Sequence, residues 1–221
     1  LLLADYSRPR TRVIHTANQG LAAARNTGVR AAQGSFILPL DADDRIGVEY
    51  LEKAVDILES HPEIGIVYCK AETFGARTGH WHSPPFSLGR MLLGNLIFCS
   101  ALFRREDWQR TKGYDPEMKG GWEDWDFWLS LLELGREAYR IPDVLFFYRI
   151  KEASMARSMD AGIKAEMHYR VMRNHPALFI DNARPLLALY YRVTESLPYR
   201  ILKRLRIPDW IGRAMGRGEK S

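Results

Sequence analysis

Cysteine is scarce in this chain. Two residues, Cys69 and Cys99, occur among 221, too few for a disulfide framework and without metal-ligand spacing, which predicts buried free thiols in a reducing compartment. No apolar run reaches the length of a membrane span, and the opening LLLADYSRPR is too short and wrongly flanked for a secretory signal. A cytoplasmic protein is expected. Internal repeats and low-complexity segments are missing too, while 46% apolar residues is ordinary for a globular protein with a real core. The body also lacks net positive charge. The formal total is +5, yet from Arg184 onward nine Lys/Arg face three Asp/Glu, so the basic excess sits in the tail. That argues against nucleic acid as a partner, because its basic footprint belongs on the folded domain. The chain opens on Leu in what reads as a helix end, and further residues are expected before Leu1.

What is present is organised around Phe36 to Asp44, FILPLDADD. The apolar run after Gly34 reads as a buried strand with Asp41, Asp43 and Asp44 at its C-terminal end, where α/β sheets bind ligands. Carboxylates this close repel one another unless a positive group lies among them. Two readings stand at this point: a divalent cation bridging to phosphate, or a polar loop whose last Asp caps the next helix. A calcium-binding EF-hand is excluded, since Arg45 and Ile46 occupy the positions that require an acid or Asn and a Gly.

Around this stretch the pattern predicts a βαβ unit. Arg12–Thr16 reads as a strand, an Ala-rich helix follows and ends at Gly34, and FILPL returns as a second strand. Gly20 at the helix start can bring backbone N–H groups to a ligand, while Asn18, Arg25 and Asn26 either reach a ligand at the same edge or form an exposed helix face. A helix ending before Pro62 carries Val48, Leu51, Val55 and Leu58 as its apolar stripe, and IGIVYC is the next strand. Lys70–Leu88 reads as irregular, with His80 and His82 an ordinary exposed pair. Met91–Phe103 is core, a short helix leading into a strand, and Arg104–Arg110 is a short helix.

A second acidic group then appears in KGGWEDWDFWLSLLELG. Glu123 and Asp124 lie in a first helical turn behind a flexible Gly120–Gly121, and Trp125, Trp128, Leu129 and Leu132 form the buried stripe. Acidic capping over an aromatic core explains this string as well as chemistry does. Pro142–Ile150 is a further strand. From 160 to 221 helices are predicted around 160–174, 176–194 and 197–206, the last a basic amphipathic segment suited either to an anionic membrane surface or to packing on its own domain.

Taken together, these motifs resemble the family 2 inverting glycosyltransferases of the GT-A fold. The resemblance rests on Asn18–Asn26 (NQGLAAARN), Leu40–Asp44 (LDADD), Gly113–Asp115 (GYD) and Gly121–Trp128 (GWEDWDFW), and runs from about Arg12 to Met159. It implies an α/β fold, a Rossmann-like and mostly parallel sheet flanked by helices, with a catalytic domain over 1–159 and a basic helical extension over 160–221. It further implies an inverting, metal-dependent hexosyltransferase working on surface polysaccharide or glycolipid. Asn18, Gly20, Arg25, Asn26, Asp41 and Asp43 would bind a nucleotide-sugar donor, a UDP-sugar first. Asp41 and Asp43 match the DXD motif that holds Mn or Mg. Asp124 matches the acid that deprotonates the acceptor hydroxyl, with Trp122, Glu123 and Lys151 on the acceptor side or in support. The acceptor would be a saccharide or lipid-linked, and the tail would place the protein peripherally on the inner membrane face. Two departures accompany the resemblance: the family's acidic turn that contacts the nucleotide base is not in these residues, and Lys151 stands where many members carry His. A sugar-nucleotide pyrophosphorylase and a non-catalytic nucleotide-binding module are the competing readings.

Overall fold

The structure, a computed structural model, describes residues 9–151 and 160–195. Its Cα packing separates Leu1–Pro176 from Ala177–Ser221. In the first unit the helices are α1 (Leu21–Ala31), α2 (Tyr50–Ser60), α3 (Leu88–Met91), α4 (Arg105–Gln109), α5 (Glu123–Glu133) and α6 (Ala161–Asn174). The strands are β1 (Phe36–Ile37), β2 (Arg45–Ile46), β3 (Ile64–Gly75), β4 (Gly79–Trp81), β5 (Leu102–Arg104) and β6 (Glu137–Ile150). The division between these compact units falls after α6.

The sheet runs β1-β5-β3-β6-β2, with β4 paired to β3 off that path. The α/β class with flanking helices holds, but the pairing is mixed. Among the described residues β3 and β6 run parallel and the other pairs are antiparallel. Residues 12–16 form no strand; a β-branched run without a neighbouring strand to take its backbone groups has no reason to stay extended in a ladder. Hence α1 joins an irregular lead-in to a two-residue strand, and the expected βαβ unit is not formed.

Two long strands carry the fold. Along β3, Ile66, Val67, Tyr68 and Cys69 are buried, and Val67 and Cys69 share a core with Tyr50, Ala54 and Leu58 of α2 and with Ile141, Leu145 and Phe146 of β6. Of the stripe expected on α2, Leu58 is buried and Val55 packs on the core, whereas Leu51 is exposed and Val48, before the helix, is 99% exposed; Tyr50 and Ala54 complete the buried face. The cause lies before the helix. Gly47 donates to the Leu145 carbonyl at 2.8 Å, and a Cβ on Gly47 would stand 2.8 Å from the Leu145 side chain. This close seat turns Val48 outward and Tyr50 inward, where the tyrosine hydroxyl donates to the carbonyls of Ser100 and Val67.

The second half of β3 is not the irregular segment expected over Lys70–Leu88. Residues Ala71–Thr73 pair with β4, and Lys70–Gly75 pair with Val144–Ile150 of β6. Gly75, at φ +96°, opens the turn into β4; a Cβ there would also meet the Ile150 carbonyl at 2.7 Å. Register shifts lie between Cys69 and Ala71, and such irregularities bend and twist a strand. The bend separates a core half of β3 from a half that projects beyond it.

In α5, burial goes nearly all round: Trp125, Phe127, Trp128, Leu129 and Leu131 are buried along with Glu123 and Asp126. The Trp125 indole donates to the Met91 carbonyl at 2.7 Å. On the other side lies α6. A Cβ on Gly120 would be 3.0 Å from both Ile163 and Met167, so this glycine permits close helix approach and is not a free hinge.

In the second unit, α7 (Pro176–Asp181), which begins at the last residue of the first, leads into α8 (Ala183–Thr194). Asn182 between them donates to the Leu178 carbonyl at 2.8 Å. No helix among the described residues is long and apolar enough to cross a membrane. The expected 197–206 helix and its membrane surface lie outside the described residues.

Candidate active site

A cavity of about 830 Å³ opens beside the bend of β3, lined there by Tyr68, Cys69, Lys70 and Ala71. Its wall includes Leu21 and Arg25 of α1, Asp41 and Asp43 after β1, Trp122, Glu123 and Asp124 at the head of α5, and Lys151 after β6. Of the residues selected from sequence, these come together. Asn18, Gly20 and Asn26 do not line it.

Asn18 accepts a hydrogen bond from Gly20 N at 3.1 Å, and Gly20 adopts φ +89° as the residue before α1. The two therefore shape the helix start. Asn26, expected at the ligand edge, is engaged within the fold. Its amide is buried, donating to the Tyr114 carbonyl at 2.7 Å while its oxygen accepts from Tyr114 N at 2.9 Å and from the Trp108 indole at 3.2 Å. Each such bond contributes about 1 kcal/mol. Gly113 completes this clamp: at φ +72°, a Cβ would lie 2.5 Å from the Asn26 oxygen. The GYD turn and the asparagine of α1 are thus two sides of one joint, which fixes Arg25 one residue earlier on the helix.

Arg25 is the joint's product. Its guanidinium, 8% exposed, donates to Asp41 Oδ1 at 3.0 Å and to Glu123 Oε1, tying the acid after β1 to the acid heading α5. Burial pulls its pKa down, but the surrounding Cys99, Glu123, Asp41 and Asp124 outweigh that and raise it, so it stays charged.

Asp124 receives less. Its carboxylate accepts from Trp125 N at 2.8 Å. Burial first, then the neighbouring Glu123, push its carboxyl up to about 7, against the opposing effects of Arg25, the Trp125 N–H and Asn95. Immediately before this turn Trp122 sits in the left-handed region at φ 66°, with Gly121 at φ +106°. Its ring packs edge to face on Trp125, 5.5 Å between centroids. The helix is thereby started by an abrupt turn that points its first acids at the cavity.

On the opposite wall Asp43 meets Lys151 Nζ at 2.7 Å, and this ammonium holds its carboxyl below the usual range. Asp44 turns away from solvent: Oδ1 accepts from Arg149 N at 2.9 Å, while Oδ2 is buried without a partner. Arg149 also donates from Nε to the Asp43 carbonyl at 2.9 Å. One ligand atom each from Asp41, Asp44 and Cys99 lie within 4.8 Å of one another. The carboxylate oxygens of this set suit a hard divalent cation. The Cys99 thiol suits such an ion poorly, and burial pushes its pKa up, keeping it protonated. Of the expected pair, Asp41 belongs to this set together with Asp44, while Asp43 lies outside it and pairs with Lys151.

Cys99, expected from the sequence only as a buried thiol, also lines the cavity, as do Asn95, Arg140 and the aromatic residues Tyr68, Trp81, Phe98, Phe146 and Tyr148, none of which the sequence singles out. His80 and His82 lie on the rim, His80 Nδ1 being 3.1 Å from Glu72.

Known proteins place this arrangement. An uncharacterized glycosyltransferase of Haemophilus influenzae is 30% identical over 191 residues, covering 81% of this chain and 64% of that protein. Chondroitin synthase of Escherichia coli is 23% identical over 171 residues, 75% of this chain and 24% of the synthase. The chain thus spans less than two thirds of these relatives' length. Among solved structures, S. aureus TarS 1-349 in complex with UDP superposes with a TM-score of 0.58 at 19% identity, over 90% of this chain and 60% of that one. At that identity the likeness concerns the fold, which is GT-A. The model of glycosyl transferase family 2 matches residues 2–120, the segment that contains the Asn26 joint, Arg25 and the acids after β1. The chain belongs to glycosyl transferase family 2.

Proposed function

We propose that the protein is an inverting glycosyltransferase, moving a sugar from a nucleoside-diphosphate sugar to an acceptor hydroxyl in the synthesis of a polysaccharide or glycolipid. One observation carries this reading: Asp124, Asp41 and Asp43 line one cavity, with Arg25 bridging Glu123 and Asp41. A single displacement needs a base on one side of the anomeric carbon and the leaving diphosphate on the other. Asp124, raised to about 7, suits a general base working near neutral pH. It takes the acceptor hydroxyl's proton as that oxygen bonds to the anomeric carbon and the bond from that carbon to the diphosphate oxygen breaks. Lys151 and Arg149 lie where the departing diphosphate would need cations, and Lys151 exchanges its contact with Asp43 for phosphate. Asp41 and Asp43, with Asp44 behind them, would hold Mn or Mg; when bound, such an ion offsets charge on the leaving diphosphate.

The names of related proteins, chondroitin synthase and hyaluronan synthase among them, and a TarS structure in complex with UDP-GlcNAc support a UDP-sugar donor and a saccharide acceptor. The basic residues from Arg184 onward favour an anionic membrane surface, and with it a peripheral place on the inner face where lipid-linked acceptors reside. Transfer is tested with the whole protein and a panel of UDP-, GDP- and dTDP-sugars, with and without manganese. Product of inverted anomeric configuration is expected. Retained configuration, or nucleotidyl transfer in place of glycosyl transfer, overturns the reading. Liposome co-sedimentation before and after truncation at Ser196 tests the tail, and equal binding by both forms sinks the membrane assignment.

A further inference from the structure

The cavity lies toward the upper end of the size range for a single ligand. Sites for single drug-sized molecules run roughly 300–1,000 Å³, and this one, at about 830 Å³, is lined unevenly. Charged groups gather around Arg25, while Tyr68, Phe98 and Phe146 make an aromatic floor: Phe98 stacks on Phe146 at 4.1 Å and 19°, and Tyr68 meets Phe98 edge-on at 6.1 Å. Tyr68 and Phe146 are fully buried and belong to the core. Trp81 differs. It is 39% exposed on a strand whose three residues are all exposed, and its ring stands 5.0 Å from Tyr148 at 79°.

The fold does not need an indole at this place, yet it holds one firmly. Trp81 pairs with Ala71 across the hairpin, and Thr73 Oγ1 donates to the Gly79 carbonyl at 3.1 Å. The segment after Trp81 is tied down as well: Arg140 Nη1 donates to the carbonyls of Ser83 and Pro84 at 2.8 and 3.1 Å, and Ser83 Oγ to the Leu96 carbonyl at 3.3 Å. A rigid, half-open aromatic surface on a concave wall is pre-organised for a flat ligand, and binding it costs little ordering entropy.

We propose that Trp81, braced by Tyr148, is the platform on which a sugar ring of the saccharide acceptor stacks. This rests on the glycosyltransferase reading. A pyranose presents polarised C–H groups on one face, which suit the negative face of an indole, and leaves its hydroxyls free at the edge. The donor is anchored by its diphosphate at the charged side. The acceptor is the end of a larger molecule and must pass the rim, where Trp81 is the exposed aromatic residue of the lining.

The test uses saturation-transfer NMR on the whole protein with chitotetraose, cellotetraose and a uronate-containing tetrasaccharide, alongside UDP, GDP and dTDP. At least one tetrasaccharide is expected to receive saturation at its ring C–H protons. Trp81→Ala should raise that Kd about tenfold, Trp81→Leu should behave the same because it restores volume without a ring, and Trp81→Phe should recover most of the affinity. Nucleotide affinity should move less than twofold in each. The proposal is overturned if no tetrasaccharide touches the wild type, if Leu binds as well as Phe, or if the nucleotide weakens instead, which would make Trp81 a base-stacking residue. Failure of the glycosyltransferase reading shows differently, as a wild type that binds none of the three nucleotides.

Discussion

Acids of the first unit are treated in opposite ways at two places. At one, Asp107 is fully buried and its two oxygens accept from Arg136 Nε and Nη2, both at 2.8 Å, with Arg110 Nη1 at 3.2 Å. Every lone pair facing a cation has one. At the other, Arg25 serves both Asp41 and Glu123, Asp124 relies on a backbone N–H and Asn95, and Asp44 keeps a buried oxygen without a partner. A buried carboxylate is tolerated when paired and strongly perturbed when it is not. Completed pairing marks scaffold; acids left in excess of cations mark the place where a ligand's charge or proton is awaited.

The comparison breaks most sharply at Asp124. Asp124→Asn should lower the transfer rate by about 10²–10⁴-fold, the usual worth of a positioned general base, while nucleotide affinity measured by calorimetry stays near wild type. Unchanged transfer would return Asp124 to a capping role. Next come the two arginines. Arg136→Met should destabilise the fold by about 3–5 kcal/mol, because Asp107 is left charged and buried, with no movement of the pH–rate midpoint in the folded fraction. Arg25→Met should cost stability on the same scale and also move that midpoint upward, since Arg25 lowers the Asp124 pKa. Equal pH profiles for both variants would erase the distinction between the groups.

A smaller effect lies in stability against pH. The folded Asp124 carboxyl, facing Glu123, Arg25, Cys99 and Tyr114, titrates at about 7 against an ordinary 3.8. Between these values the folded state keeps a proton that the unfolded chain has released, so stability falls as pH rises through the window and levels off above it. Denaturant melts should show this slope in the wild type and a flatter one in Asp124→Asn, a difference of a few kcal/mol at most, at about 1.4 kcal/mol per pKa unit.

The smallest prediction concerns His175, held between Glu133 at 2.8 Å and Asp126 at 3.2 Å. Burial lowers its pKa, but the two acids raise it further. This contribution is complete below the unfolded value and is lost as pH rises through the folded one. His175→Ala should therefore cost about 1–3 kcal/mol at low pH, less at high pH, and leave the pH–rate midpoint alone.

Much of the candidate site was legible because its residues carry unusual types at loop and helix starts. Arg25, Asp41, Asp43, Glu123, Asp124 and Lys151 all reach the one cavity. Asn26 is ambiguous in the sequence because an amide looks the same whether it meets a ligand or a backbone; only the distant Gly113–Tyr114 turn reveals its partner. Helix existence was legible from period, whereas the outward turn of Val48 before α2 was not, since the seat of Gly47 on Leu145 sets it. Strand direction was hidden too. An apolar run reads the same whether its neighbour is parallel or antiparallel, and β3 through Gly75 reads as loop because its second half holds no continuous core. The aromatic lining of the cavity was illegible for a like reason, as Trp81 and Tyr148 are far apart in sequence and meet only across the bend.

That bend in β3 has a consequence for how such a chain can change. Before Cys69 a substitution disturbs the shared core with α2; after Ala71 it falls on residues outside that core, paired with β4 and β6. The hairpin from Gly75 to Gly79 can then be exchanged for loops of other length and composition while the melting behaviour stays put, so new preferences are open to variation without the scaffold being rebuilt.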